Sequence, residues 1–394
     1  MRSTGCMFLA ILLTIVIGYG GFALTGKIAV VLGGGRGDLS FNDMGFKGAS
    51  DAAQQFELEM VTVQSASAAD FLPNLRSLAR TEEFDVIISF GSLLTDAIEQ
   101  VSTEFTGQKF VTVGGVVPDR ENVMAVVFRE NEMSALVGAL AGMAAAYHGY
   151  SYAGIVLGIE IPVLYHFEAG YRFGMDWGLK RYSEVTGKPS DVGLLYTYTG
   201  TFQDVAVGKT ASEAMLAQGA ASIYNVAGAL GLGDLEAITE YHETAGTVFG
   251  PPYYFGVDAN QDYLGGGFHG LASGVKRIDV ATYRAVESVV NGTFQGGITS
   301  LGLAEGGVGI SDLDDLVEFI DFGVAGGAIA PDAFYSTVAN WAQNRSTVPA
   351  WIWQAINELE AGILDGAIMV PTADNRDEME ALRVLYELEV PQGT

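Results

Sequence analysis

The chain has 394 residues, enough for two α/β domains of ordinary size, each with its own hydrophobic core. Its 47 acidic side chains against 20 basic ones give a formal net charge of -27, a field that repels phosphate backbones and argues against nucleic acid as a partner. A hydrophobic content of 49% with 52 glycines suits many short strand-to-helix turns and argues against a disordered or fibrous polymer.

At the N-terminus, Arg2 is followed by an uncharged run from Ser3 to Gly26, with an apolar heart from Met7 to Ile17 and small residues behind it. Residues 1–26 therefore read as a secretory signal peptide or an uncleaved membrane anchor, which places the rest of the chain outside the cytoplasm, secreted or held on the outer face of the cell membrane. A bacterial lipoprotein signal carries its cysteine after the apolar core, whereas Cys6 lies before it. As the single cysteine it forms no internal disulfide. The four histidines, His148, His166, His242 and His269, are far apart in sequence, so no metal site and no cofactor are expected.

From Lys27 onward, strands alternate with helices. Lys27 to Gly33 is an apolar run of strand length closed by glycines, and Asp43 to Phe56 follows with helical spacing. The unit recurs as strand Glu59–Val63 with helix Asp70–Arg80, then strand Asp85–Phe90 with helix Leu93–Thr103, then strand Phe110–Val113. After the long apolar helix Asn131–Tyr147 a second series begins, with strands near Tyr152–Leu157, Gly193–Tyr196, Ser222–Val226 and Tyr254–Val257. Helices Phe167–Glu184, Asp204–Ala217 and Asp234–Glu243 separate them. Two doubly wound parallel sheets are predicted. Ligands bind such sheets outside the carboxyl ends of the strands, so the loops after Val31, Phe90, Val113, Leu157, Val226 and Val257 are where chemistry is expected.

Three catalytic or nucleotide motifs fail on inspection. Gly35-x-Gly37 lacks the third glycine of a dinucleotide turn; Gly21 to Lys27 lacks the Ser/Thr and the helix of a phosphate loop; and Ser273-x-x-Lys276 lacks its Lys-Thr-Gly companion. No catalytic residue is expected. What remains is Asp38, Ser40, Phe41 and Asn42 in a strand-to-helix loop, with Phe46 one turn further. Ser40 and Asn42 are also ordinary helix caps. An aromatic beside a fixed carboxylate is suited to a flat ring bearing hydroxyls, since the ring stacks and the carboxylate accepts hydrogen bonds. Gly91 to Asp96, Gly256 to Asp262 and Lys276 stand at analogous loop positions.

These segments resemble one family. GDLSFND at Gly37–Asp43, FDVIISFGSLLTDA at Phe84–Ala97, FEAGYRFG at Phe167–Gly174, FGVDANQDYL at Phe255–Leu264, VKRIDVATY at Val275–Tyr283 and FQGGITSLGLAEGGVGI at Phe294–Ile310 resemble the basic membrane protein family, which includes purine nucleoside receptor lipoproteins of bacterial ABC transporters. The resemblance runs from Lys27 to about Ile310 and returns at Ala361–Pro371. It implies a type I periplasmic-binding-protein fold, two Rossmann-like lobes with the ligand enclosed between them, and a membrane ABC permease as partner. Carried over by motif, Asp38, Phe41, Asn42, Phe46, Gly91 and Asp96 would serve from the first lobe. Asp258 resembles a ribose-hydroxyl binder and Lys276 its basic partner, while Phe167, Gly228 and, for the far face of a stacked base, Phe202 and Tyr224 complete the expected set.

The chain departs from the pattern in three places. Gly114 and Gly115 stand where many members carry an acidic residue; Ala227–Leu232 (AGALGL) replaces a glycine-rich AGGTG; and residues 311–347 form a longer stretch than usual. The expected organisation is a first lobe of 27–129 with 260–291, a second of 130–259 with 292–371, and a C-terminal tail of 372–394, with hinges near Arg129, Asn260 and Gly292. The expected function is capture of a nucleoside, with a purine favoured; a nucleoside-sensing receptor and a hydrolase of the same ligand are the alternatives.

Overall fold

The computed structural model of the protein describes residues 24–388. The signal or anchor segment lies almost wholly outside the described residues, and no described helix is long and apolar enough to cross a membrane.

The alternating pattern folds as two sheets. Strands β1 (Lys27–Leu32), β2 (Glu59–Gln64), β3 (Val86–Phe90), β4 (Phe110–Val113), β5 (Val123–Phe128) and β11 (Gly297–Leu301) form the first, in the order β11-β5-β4-β3-β1-β2, with every pairing parallel. Its helices are α1 (Phe41–Gln55), α2 (Phe71–Thr81), α3 (Thr95–Glu104) and α8 (Ile278–Val290). Strands β6 (Tyr152–Leu157), β7 (Gly193–Tyr198), β8 (Ala220–Val226), β9 (Tyr253–Asp258), β10 (Gly270–Lys276) and β12 (Val308–Ile310) form the second, ordered β12-β10-β9-β8-β6-β7, with only β12 antiparallel. Helices α4 (Glu130–His148), α5 (Pro162–Thr186), α6 (Val205–Ala217) and α7 (Gly231–Ala245) cover it. Central strands such as β3 and β9 are buried along their whole length, as continuous apolar runs in a two-faced parallel sheet should be.

The chain passes between lobes three times, and two of the crossings differ from the sequence expectation. The first lies at Arg129 as expected. The second lies at Arg277, because β10 pairs with β9 in the second sheet and only the helix after it, α8, packs on α1 in the first lobe. The third spans 302–307, because β11 pairs with β5 in the first sheet and β12 with β10 in the second. Asn260 is fully buried inside the second lobe and Gly292 ends a first-lobe helix, so neither is a hinge. The crossings are tied together: the Arg129 N–H donates to the Leu301 carbonyl at 2.9 Å and the Arg277 N–H to that of Gly307 at 2.9 Å. Arg129 also pairs with Glu132 and Glu305, and Glu132 accepts from the Leu303 N–H at 2.7 Å.

The long stretch after Ile310 forms α9 (Leu313–Ala325) and α10 (Phe334–Arg345), which close over the second lobe. Its anchor is Asp262, whose buried carboxylate accepts from Ser273 Oγ at 2.6 Å, Ser311 Oγ at 2.7 Å and Trp341 Nε1 at 3.0 Å. Helix α11 (Ala350–Leu364) packs on α4. Residues 372–388 are not a loose tail: α12 (Arg376–Leu385) docks on α5, where Arg383 pairs with the fully buried carboxylate of Glu168 at 2.6 Å and Met379 is buried against Tyr165.

Candidate functional site

Between the lobes, at the carboxyl ends of both sheets, lies a cavity of about 470 Å³, a size ordinary for a small-molecule site. The first lobe contributes the loops after β1, β3 and β4, and the second those after β6, β7, β8 and β9. The expected residues Asp38, Phe41, Asn42, Gly91, Phe167, Phe202, Gly228, Asp258 and Lys276 all line it.

Asp38 organises the first loop. Its carboxylate accepts from the backbone N–H groups of Ser40 (3.1 Å), Asn42 (2.9 Å) and Asp43 (3.1 Å), and from Asn42 Nδ2 at 2.9 Å. Both oxygens are thus spent on the start of α1, so Asp38 caps the helix, while the Ser40 side chain makes no cap bond. Burial pushes its carboxyl up to about 6, against the pull of those donors. With its amide nitrogen held by Asp38, Asn42 turns its carboxamide oxygen away from that carboxylate.

Phe41 stands next, at the first position of α1. Its ring lies against the backbone of Gly114, where a Cβ would sit 3.0 Å from Phe41 Cζ, and Gly114 also has a left-handed φ of 84°. Gly114 therefore makes room for the ring. Phe202 rests similarly on Gly158 in the second lobe, where a Cβ would come within 2.1 Å of its ring. Rings from the two lobes thus line one cavity, with Ile159, Ile161, Val163 and Leu164 supplying further apolar wall.

At the polar end, Lys276 is 3% exposed, with its ammonium 3.2 Å from Glu130 Oε1 and 3.3 Å from Asp258 Oδ1. The rings of Phe41, Phe128 and Phe167 surround it at 5.1, 5.5 and 5.3 Å from their centroids. Burial opposes the charge on Lys276, but Asp258 and Glu130 outweigh it and hold the ammonium above the usual lysine range. Glu130 likewise resists burial through Lys276 and His166 and stays below the usual carboxylate range. His166 Nδ1 is 3.4 Å from Glu130 Oε2 and its Nε2 2.9 Å from Asp374 Oδ1; the two carboxylates overcome burial and raise the imidazole.

Asp258 ends β9 with a φ of 63°, a left-handed conformation that favours glycine. Its Oδ2 accepts from Ser40 Oγ of the other lobe at 3.1 Å, whereas the buried Oδ1 faces the Lys276 ammonium. Ser40 Oγ also reaches the Val257 carbonyl at 3.0 Å, and Gln261 Nε2 donates to the Leu39 carbonyl at 3.1 Å. These bonds join the lobes behind the cavity.

Three expected residues lie elsewhere. Phe46 is five positions beyond Phe41, which rotates it off the cavity-facing side of α1, and its ring packs under the Arg36 guanidinium at 3.6 Å. Asp96 lies on an outer face of α3 with Glu99, Gln100 and Thr103. Tyr224 is fully buried one layer behind the wall, stacked on Tyr171 at 5.5 Å and edge-on to Phe167 at 6.5 Å. Sequence reasoning missed Glu130, which reads as an ordinary acidic residue in a helix's first turn, and His166, noted only for its distance from other histidines. It also missed the apolar turn from Ile159 to Leu164, although the loop after Leu157 was marked as a site position.

The family model for "ABC transporter substrate-binding protein PnrA-like" matches residues 25–323. An uncharacterized lipoprotein of Pyrococcus furiosus is 35% identical over 99% of this chain and 97% of its own length. An ABC transporter nucleoside-binding protein of Lactococcus lactis is 28% identical over 76% of this chain and 85% of its own. A crystal structure of an ABC transporter solute-binding protein from Aeropyrum pernix superposes with a TM-score of 0.84 at 32% identity, covering 92% of this chain and 97% of that one. Two parallel-sheet lobes, a cavity where their loops meet and a match along most of the chain agree: the protein belongs to the PnrA-like (Bmp) family of ABC transporter substrate-binding proteins.

Proposed function

We propose that the protein captures a nucleoside between its lobes, outside the cytoplasmic membrane, and delivers it unchanged to an ABC permease. The observation that carries this reading is the Asp258 carboxylate, buried beside the Lys276 ammonium at 3.3 Å on the wall of a cavity lined by aromatic rings from both lobes. An acceptor of that kind suits a sugar hydroxyl, and Phe41 and Phe202 suit the two faces of a base. Lys276 brings no net positive charge, since Asp258 and Glu130 flank it, which favours a neutral ligand over a phosphorylated one. The nucleoside-binding relative from Lactococcus lactis points the same way. The relatives named as lipoproteins favour a protein held at the outer membrane face, with residues 1–26 as its signal or anchor.

Calorimetry with inosine, guanosine, adenosine, their free bases and free ribose tests the reading. Saturable binding of a nucleoside, tighter than that of its base or of ribose, is expected. Sugar binding with no nucleoside binding would overturn the ligand class, and chromatographic detection of free base after incubation would replace capture by hydrolysis.

A further inference from the structure

The stretch after Ile310 reaches back to the first lobe at the loop that carries Asp38, Phe41 and Asn42. Helix α9 ends in a Schellman-type turn: the Ala328 N–H donates to the Gly323 carbonyl at 2.8 Å and the Gly327 N–H to that of Val324 at 3.1 Å, with Gly327 at a left-handed φ of 76°. Gly323 and Gly326, three residues apart, share one face of that last turn. A Cβ on Gly323 would stand 2.5 Å from the Tyr263 ring of the second lobe, and one on Gly326 would stand 2.6 Å from Leu39 Cδ2 of the first. The missing side chains let one turn touch both lobes. Leu39 is 6% exposed, yet its φ of 48° is a conformation that leucine rarely adopts. Asp43 Oδ2 holds its N–H at 2.9 Å, and Gln261 Nε2 of the second lobe donates to its carbonyl at 3.1 Å. A strained loop residue persists only where its surroundings over-determine it, and part of those surroundings here comes from the opposite lobe.

We propose that the last turn of α9 is a latch for the closed form, with Leu39 as its positioning residue: the contact between Gly326 and Leu39 keeps the binding loop in shape around an enclosed nucleoside and slows its release. This rests on the nucleoside reading above and adds to it a role for residues 311–347. A second tie runs beside the first. Arg277, at the crossing, pairs at 3.1 Å with Asp279 at the start of the first-lobe helix α8 and at 3.1 Å with Glu318 of α9, and its guanidinium lies 5.9 Å from the Phe319 ring centroid. Helix α9 is fixed to the second lobe by β12 before it and by Tyr263 against Gly323, so it moves with that lobe. When the lobes part, Leu39 must leave the turn. A contact made in the closed form alone slows opening and leaves the encounter of ligand with the open form untouched.

The test measures inosine association and dissociation on the full chain by stopped-flow fluorescence, in wild type, Leu39→Ala, Gly326→Ala and the double variant. Alanine is as strained as leucine at a φ of 48°, so Leu39→Ala removes the contact and leaves the strain. Gly326 has an ordinary helical φ of -79°, so its alanine is opposed chiefly by Leu39. Dissociation from Leu39→Ala is expected to speed up about tenfold while association changes less than about twofold. Gly326→Ala should speed dissociation as well, but by less than about twofold once Leu39 is already alanine, because the two residues act through one contact. Dissociation of Leu39→Ala at the wild-type rate, a loss confined to association, or fully additive effects of the two substitutions would overturn the proposal. Should Leu39→Ala not fold, Gly326→Ala, which changes no first-lobe residue, decides alone: an unchanged dissociation rate overturns the latch. If wild type binds no nucleoside, the function reading fails, and the latch is still tested without ligand. In a Cys6→Ser background, Leu39→Cys with Gly326→Cys should be joined by a short bis-maleimide, as read by mass spectrometry of the linked peptides, and absence of the link would overturn the contact.

Discussion

Asp258 offers a graded perturbation, because its charge, its acceptor oxygen and its backbone conformation can be changed separately. Asp258→Asn keeps the shape and an acceptor oxygen, and asparagine tolerates the left-handed φ of 63°. The charge and one of the two acceptor oxygens are lost. A charge-assisted hydrogen bond is worth about 1.5–3 kcal/mol and a neutral one about 0.5–1.5, so nucleoside affinity should fall roughly five- to tenfold. Asp258→Ala removes the acceptor as well, for a loss of roughly ten- to a hundredfold, and adds about 1–2 kcal/mol of strain because alanine is poorly suited to that backbone region. Both variants leave Lys276 with Glu130 alone, so thermal stability should drop in each, by more in the alanine variant. Calorimetry with inosine and hypoxanthine reads the outcome, with the nucleoside losing affinity in the order wild type, asparagine, alanine and the base little affected. Nucleoside affinities equal to wild type in both variants would refute the placement of Asp258 in the site, and a base that lost as much as the nucleoside would refute its role with the sugar.

Three other outcomes are expected. The bonds from Ser40 and Gln261 across the lobes can form only when the lobes are together, so the radius of gyration from small-angle scattering should shrink on saturation with a tight nucleoside, and an unchanged value would count against hinge closure. Gly114→Ala should weaken nucleoside binding several-fold in calorimetry, since its Cβ would stand 3.0 Å from Phe41 Cζ and its φ of 84° would be strained; full affinity would remove Phe41 from the stack. Asp234 is buried beside Ser212, and burial pushes its carboxyl up to about 7. The folded state then holds a proton that the unfolded chain releases near 4, so this stabilising contribution is lost as pH rises from about 4 to 7. Urea unfolding of Asp234→Asn should show a smaller decline than wild type over that interval.

The sequence made the alternating strands and helices legible because buried parallel strands are continuous apolar runs. Lobe membership was less legible: β10 (GLASGVK) carries few apolar side chains and β11 (GITSL) is an exposed edge, so neither announces which sheet it joins. That pairing is fixed by long-range register, and two of the three crossings were misplaced for this reason. At the site, nine expected residues line the cavity, each at or near the end of a strand or in the loop after it. Phe46 and Asp96 lie off the cavity because a few helical residues rotate a side chain off the loop's face, and Tyr224 because it stands two residues short of the end of β8, packed in the core against Tyr171 and Phe167. Glu130 was invisible, since nothing local marks a first-turn acid as buried beside a lysine 146 residues away.

The central claim is that the cleft holds a nucleoside. Its most direct test is mass spectrometry of whatever is released on denaturing protein purified without refolding. A nucleoside in near-stoichiometric amount is the expected result. A sugar, amino acid or other solute in its place, retained when inosine, guanosine and adenosine are added in excess, would contradict it.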